Sequence, residues 1–350
     1  MADPMLGFAS ASAPARALQG LTGRLCDVVD LSARAASRAS RRSAENSNEA
    51  AEEFELRSHR IRSIFDEEIM PALLADLPRR PLKKVEEPVL YVVGGQPGAG
   101  KSTLVDSIRD RLSDMGGAAV IQADELEKFH PAYSRLYRED DFTAHDYLYP
   151  TAQKLRDIFE DFLIPRPYNV LLEGGNTDPR GTLARIQRIG ESRSRTHMEV
   201  IALPREQSDL ARLERFVNGR ETDGFGRYVT RQTHNRLYLG SSELVRLVES
   251  VRPVPVDSLL IRTRAEILYE NHRISDGQWH DPPRAWAALE DERNREWTRE
   301  ERRTFEDRVT RLRELVASKA GQDPARWAPL VDEIDGLRVL AEPKLSGPAR

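Results

Sequence analysis

Gly94, Gly95, Gln96, Pro97, Gly98, Ala99, Gly100, Lys101, Ser102 and Thr103 form one uninterrupted stretch. Within it Gly95, Gly100, Lys101 and Ser102 match the spacing G-x-x-x-x-G-K-[ST]. Glycines let backbone N–H groups close on phosphate oxygens with no Cβ in the way. A helix that starts where the loop ends adds partial positive charge at the same point. The spacing predicts a nucleotide site over residues 95–103, in which Lys101 reaches the β- and γ-phosphates of ATP and Ser102 holds Mg²⁺.

Other residues able to do chemistry stand at the ends of apolar runs. Asp124 follows the run at 118–122, and ligands of open α/β sheets gather at the C-terminal ends of strands. It reads as a base or Mg²⁺ organiser, or as the N-cap of the next helix. Glu173 follows the run at 169–172 and precedes Gly174 and Gly175. A carboxylate beside glycines can reach a ligand hydroxyl, while Gly, Asn and Asp here also fit a surface turn. Asp157 lies on a helix expected to open at Pro150 and run to about residue 162. Arg205, Arg212, Arg215, Arg220, Arg227, Arg231 and Arg236 follow a strand expected at 198–203. Arginines on a closing segment stabilise the charge that phosphoryl transfer spreads over three oxygens. A solvated helix face is the ordinary source of such a run. His130 before Pro131 reads as a structural hydrogen-bonder, and Cys26 as an inert thiol.

The elements that must position these residues follow from periodicity. Residues 89–93 are a continuous apolar run entering the glycine loop, and Leu104, Ile108 and Leu112 follow at helical spacing. Further strands are expected at 118–122, 169–172, 198–203 and 259–262, with helices between them. The fold class is α/β: a P-loop NTPase, nucleotide-kinase-like, with a parallel sheet flanked by helices and with helical N- and C-terminal extensions. The domains are a low-information arm over 1–45, a helical extension over 46–84 in which Pro71 breaks or kinks the helix, the kinase domain over 85–270, and a charged C-terminal extension over 271–350. Residues 218–226 read as a mobile loop, 285–319 as one long helix, and 320–350 as a tail punctuated by Pro and Gly.

Composition narrows the partners. Lys and Arg number 53 against 57 Asp and Glu, so the net charge is only −4, with no global basic field for nucleic acid. A single cysteine forms no internal disulfide, and no Cys/His spacing suits zinc. No apolar run approaches membrane-spanning length and no signal peptide is evident. The expectation is a soluble, cytoplasmic protein that binds neither nucleic acid nor membrane.

Residues of about 85–270 resemble the zeta-toxin family, P-loop kinases of bacterial toxin–antitoxin systems that phosphorylate UDP-N-acetylglucosamine on the sugar 3′-hydroxyl. The resemblance rests on Gly-Gly-Gln-Pro-Gly-Ala-Gly-Lys-Ser at 94–102, on Asp124 six residues before His130-Pro131, on Glu173-Gly174 after an apolar strand, and on Arg227 seven residues before His234. It implies that Asp124 is the base on the acceptor hydroxyl and that Glu173 contacts the acceptor. It also implies that Arg215 and Arg227 contact ATP phosphates and that a helical antitoxin restrains the protein, in trans or, through residues 17–77, in cis, although residues 17–77 read first as a packing extension. Three departures fall in the site. Asp157 is the nearest match to a second substrate carboxylate that is usually Glu. Gly175 stands where the family's toxin has a hydroxyl residue. The Arg215–Arg227 gap is slightly shorter, so Arg220 is an alternative to Arg215. Related kinases accept nicotinamide dinucleotide, which stays open as the acceptor. A nucleotide-dependent switch acting through partners is the alternative from another class.

Overall fold

The computed structural model describes residues 54–75, 83–174 and 177–347; the arm at 1–45 and Gly175 lie outside them. Six strands form one sheet in the order β2-β3-β1-β4-β5-β6. They are β1 (Val89–Gly94), β2 (Ala119–Gln122), β3 (Val170–Glu173), β4 (Arg195–Ile201), β5 (Ser258–Arg262) and β6 (Ile267–His272). The first five are parallel and β6 closes the edge antiparallel to β5. Parallel strands are covered on both faces, so they read as continuous apolar runs. Leu90, Val92, Val93, Val170, Leu171 and Leu172 are accordingly buried. Register then aligns the functional ends: Val93 lies opposite Glu173, and Glu173 opposite Gln122.

The N-terminal helix is not broken at Pro71. Helix α1 (Ser58–Ile64) passes through a π-helical turn at Phe65–Ile69 into α2 (Met70–Ala75). The wider turn directly precedes the proline, which has no N–H to give to a regular ladder. Ile61, Ile64, Phe65 and Ile69 are buried in the main core, and Phe65 meets the rings of Phe159 and Phe162. This described part of the N-terminal extension is a packing element.

Between β1 and β3 run α3 (Lys101–Ser113), the short α4 (Ala123–Leu126), α5 (Tyr133–Glu139) and α6 (Ala144–Leu163). Helix α6 starts before Pro150, which sits inside it. After β3 come α7 (Pro179–Gly190), α8 (Arg205–Thr222) and α9 (Arg231–Ser250). Residues 218–222, expected in a loop, continue α8.

The expected long C-terminal helix is two, α10 (Ala285–Asn294) and α11 (Arg299–Ala320). A capping box explains the break: the Thr298 side chain accepts from the Glu301 backbone, and Glu301 accepts from the Thr298 backbone. The expected tail is a helix, α12 (Pro324–Ser346), with Pro329 and Pro343 inside it. Its Trp327, Leu330, Ile334 and Leu337 pack with Phe305, Val309 and Leu312 of α11 and with Leu210, Leu213 and Phe216 of α8. Among the described residues no helix is long and apolar enough to cross a membrane.

Candidate active site

The phosphate loop owes its shape to three glycines with left-handed φ: Gly95 at 142°, Gly98 at 79° and Gly100 at 103°. Gly98 is irreplaceable for a second reason, since a Cβ there would collide with the Ser208 carbonyl oxygen of α8. Gly100 caps α3 without a side chain. The first-turn N–H groups at Lys101, Ser102 and Thr103 are thus left to an anion. Pro97 lines the cavity and Ala99 is buried beneath the loop.

Gln96 faces inward and is fully buried. Its amide donates to the Leu203 carbonyl at 2.9 Å and to Ser208 Oγ at 3.1 Å. Its Oε1 accepts from the Arg293 guanidinium at 2.9 Å. Arg264, from the β5–β6 connection, donates to the carbonyls of Gly98 at 2.7 Å and Ala99 at 3.0 Å. Two arginines from late in the chain therefore hold the loop from behind.

In front of it lies a cavity of about 420 Å³, within the range of small-molecule sites. It brings together Lys101, Ser102, Asp124, Glu173, Arg215 and Arg227. Lys101 Nζ lies 3.3 Å from the Gln96 carbonyl and 3.7 Å from Glu173. Burial lowers its pKa, against the opposing charges of Glu173 and Asp124. Asp124 stands just after β2, at the start of α4, and makes an ion pair with Arg227. Burial favours its neutral form, but the Arg227 charge and hydrogen bond outweigh this and hold it at about 2. Half of the Asp124 side chain is still open to the cavity. Arg215 has no carboxylate partner among the described residues and is exposed to the cavity. Burial and the neighbouring Arg227 both lower its pKa.

Two further arginines of the run are structural. Arg220 is buried, pairs with Asp141 at 2.6 Å and donates to the Arg326 carbonyl. Arg212 is buried between Asp209 and Glu333. Only Arg215 and Arg227 of α8 and the following loop face the cavity, so Arg220 is not the alternative to Arg215. Asp157 is also a correction. Its carboxylate is 58% exposed, accepts from Arg156 at 2.7 Å and does not line the cavity. The helix presents the preceding residue, Arg156, there instead. His130 is buried, and its Nδ1 accepts from the Ala132 N–H at 3.1 Å, a structural bond.

Sequence reasoning missed Glu127, which is buried and accepts from Tyr137 at 2.8 Å. It also meets His145 Nδ1 at 2.6 Å and lies 3.7 Å from Arg227. The signal was its spacing of three from Asp124, which puts both carboxylates on one side of a helical turn. Gln122, paired with Glu173, was missed as well.

The ordered strand, glycine loop and helix, with carboxylates at two neighbouring strand ends, define a P-loop protein of nucleotide-kinase type. The sequence model of one family, described as Zeta toxin, matches residues 75–274. The chain belongs to the zeta-toxin family. It is 32% identical over 139 residues to "Toxin zeta" of Enterococcus hirae, covering 38% of this chain and 46% of that protein. It is 30% identical over 116 residues to "Toxin PezT" of Streptococcus pneumoniae, covering 33% of this chain and 45% of that protein. The chain spans about half the length of the curated relatives it matches. A solved structure from the PezAT chromosomal toxin–antitoxin system of Streptococcus pneumoniae shares the fold. Its TM-score is 0.58 at 20% identity, over 74% of this chain and 98% of that one.

Proposed function

We propose that the protein is an ATP-dependent kinase that phosphorylates a hydroxyl of a nucleotide-type metabolite, UDP-N-acetylglucosamine at the sugar 3′-hydroxyl, and acts as a toxin restrained by an antitoxin. The observation that carries this reading is the meeting of Asp124 with Lys101, Ser102, Arg215 and Arg227 in one cavity. A nucleotide-binding module with no acceptor would use a carboxylate there only to organise Mg²⁺.

The loop amides and Lys101 bind the β- and γ-phosphates. Ser102 would hold Mg²⁺, which would neutralise charge between those phosphates. Arg227 exchanges its Asp124 partner for the γ-phosphate, with Arg215 beside it. Asp124 then orients the acceptor hydroxyl, whose oxygen forms a bond to the γ-phosphorus as the bond to the β-phosphate oxygen breaks. ADP leaves, and the hydroxyl proton passes to Asp124. Loss of the Arg227 partner raises the basicity of Asp124 at the moment it is needed. Glu173, fixed by Gln122, binds the acceptor.

The test is phosphate transfer from labelled ATP to UDP-N-acetylglucosamine, to nicotinamide dinucleotide and to no acceptor, for wild type and Lys101→Ala. A phosphorylated UDP-sugar made only by the wild type is the expected result. ATP turnover with neither acceptor modified would overturn the acceptor assignment and favour a nucleotide-dependent switch.

A further inference from the structure

The cavity has a second cationic wall that the phosphate loop does not use. Glu160 of α6 is completely buried. It accepts from Arg185 Nε at 2.8 Å and Arg188 at 2.7 Å, both on α7, and lies 3.7 Å from Arg156 on its own helix. Two of these three arginines, Arg156 and Arg185, line the cavity. The other acids in the cluster, Asp157 and Asp161, are 58% and 69% exposed and stand outside it.

Each cavity arginine is held by part of its guanidinium only. Arg185 uses Nε and NH2 on Glu160, and Arg156 uses Nε and NH2 on Asp157. NH1 of each has no partner among the described residues. A buried carboxylate that pins guanidiniums in place removes the rotamer cost of binding an anion later. The side chains are only 16% and 18% exposed, so a ligand there meets preorganised charge in a partly desolvated wall. Both arginines line the same cavity as Glu173, which stands at the end of β3. Tyr149, Asp124 and both arginines line the same cavity, so the pair shares one space with the reacting carboxylate.

Resting on the kinase reading, we propose that Arg156 and Arg185 form an anion subsite that receives a phosphate or diphosphate ester of the acceptor. They are specificity residues that let the enzyme reject the neutral sugar. The shared chemistry is a diphosphate ester, as a UDP-sugar or a dinucleotide would present it.

Two measurements test this. In the first, Arg156→Gln and Arg185→Gln are assayed with UDP-N-acetylglucosamine and with free N-acetylglucosamine. The expected result is a rise of about tenfold or more in KM for the UDP-sugar, an unchanged KM for ATP, and poor phosphorylation of the neutral sugar by the wild type. Arg156 hydrogen-bonds the exposed Asp157 rather than the buried Glu160, so Arg156→Gln keeps the test valid if Arg185→Gln unfolds. Unchanged acceptor KM in both variants, or equal use of the neutral sugar, overturns the proposal. The second needs no activity: inorganic pyrophosphate is titrated into Lys101→Ala protein, with and without the two added substitutions. Binding that weakens tenfold or more supports the subsite even if the protein is no kinase. Binding that is absent, or indifferent to both arginines, overturns it.

Discussion

Arg293 donates to the side-chain oxygen of Gln96 at 2.9 Å, from α10 to the centre of the phosphate loop. The same guanidinium donates to Ser242 Oγ at 2.6 Å and to the Tyr238 carbonyl at 3.1 Å. It is 1% exposed. A helix outside the sheet thereby sets the geometry of the loop at the edge of β1.

Arg293→Met leaves Gln96 Oε1 buried with a partner lost. Each buried acceptor orphaned in this way costs about 1–3 kcal/mol. The variant should melt several degrees lower and bind ATP more weakly, with a smaller change in acceptor KM. Thermal unfolding with and without ATP reads both effects, and an unchanged ATP affinity would separate Arg293 from the loop.

Arg215 and Arg220 sit five residues apart on α8 and should fail in opposite ways. Arg215→Ala should cut kcat by about 10²-fold or more while leaving the melting temperature nearly unchanged. Arg220→Ala orphans buried Asp141 and should cost about 3–5 kcal/mol of stability. Urea unfolding alongside turnover distinguishes the two, and a reversed pattern would exchange their roles.

Asp124→Asn should retain ATP binding and lower phosphoryl transfer by about 10²–10⁴-fold. The pH profile carries a further check. Its folded pKa of about 2 lies below the ordinary 3.8, so its charge is complete above pH 5 and is lost only as pH falls toward 2. Activity between pH 5 and 8 should show no titration from Asp124 in the free enzyme. An acid limb near pH 6 in kcat/KM that disappears in Asp124→Asn would contradict this.

His234 gives acid sensitivity. Burial lowers its pKa to about 4, from 6.5, against the attraction of Asp209. The unfolded chain takes up the proton first, so stability is full above pH 6.5 and declines as pH falls toward 4. His234→Gln should be less stable than wild type at pH 7 and should lose less stability on going to pH 4.5. Melting curves at the two pH values are sufficient, and parallel losses would exclude His234 as the source.

Trp327 is 6% exposed, in the cluster that joins α12 to α8. Trp327→Ala should cost about 3–5 kcal/mol. A change under 1 kcal/mol in urea unfolding would mean that α12 is dispensable to α8.

What was legible in the chain was local. The glycine loop, the strand before it and the carboxylates at strand ends are encoded within short windows, and Lys101, Ser102, Asp124, Glu173, Arg215 and Arg227 line one cavity. The errors came from features whose meaning depends on distant partners. Asp157 and Arg156 are neighbours, and only the helix's packed orientation decides which one enters the cavity. Residues 327, 330, 334, 337 and 341 follow a helical period, yet Pro329, Pro343 and Gly336 disguised it, because α8 and α11 supply the packing that overrides low propensity. The break at Thr298, by contrast, is encoded locally in its Thr-x-x-Glu.

The Gln96–Arg293 contact spans 197 residues of chain. During synthesis at about 5–20 residues per second, the phosphate loop therefore exists for about 10–40 seconds before its brace has been made. The nascent chain passes through an interval with a glycine loop but without the Arg293 brace. The brace of the loop is thus a late addition to the protein's own assembly, completed only once α10 has emerged and docked.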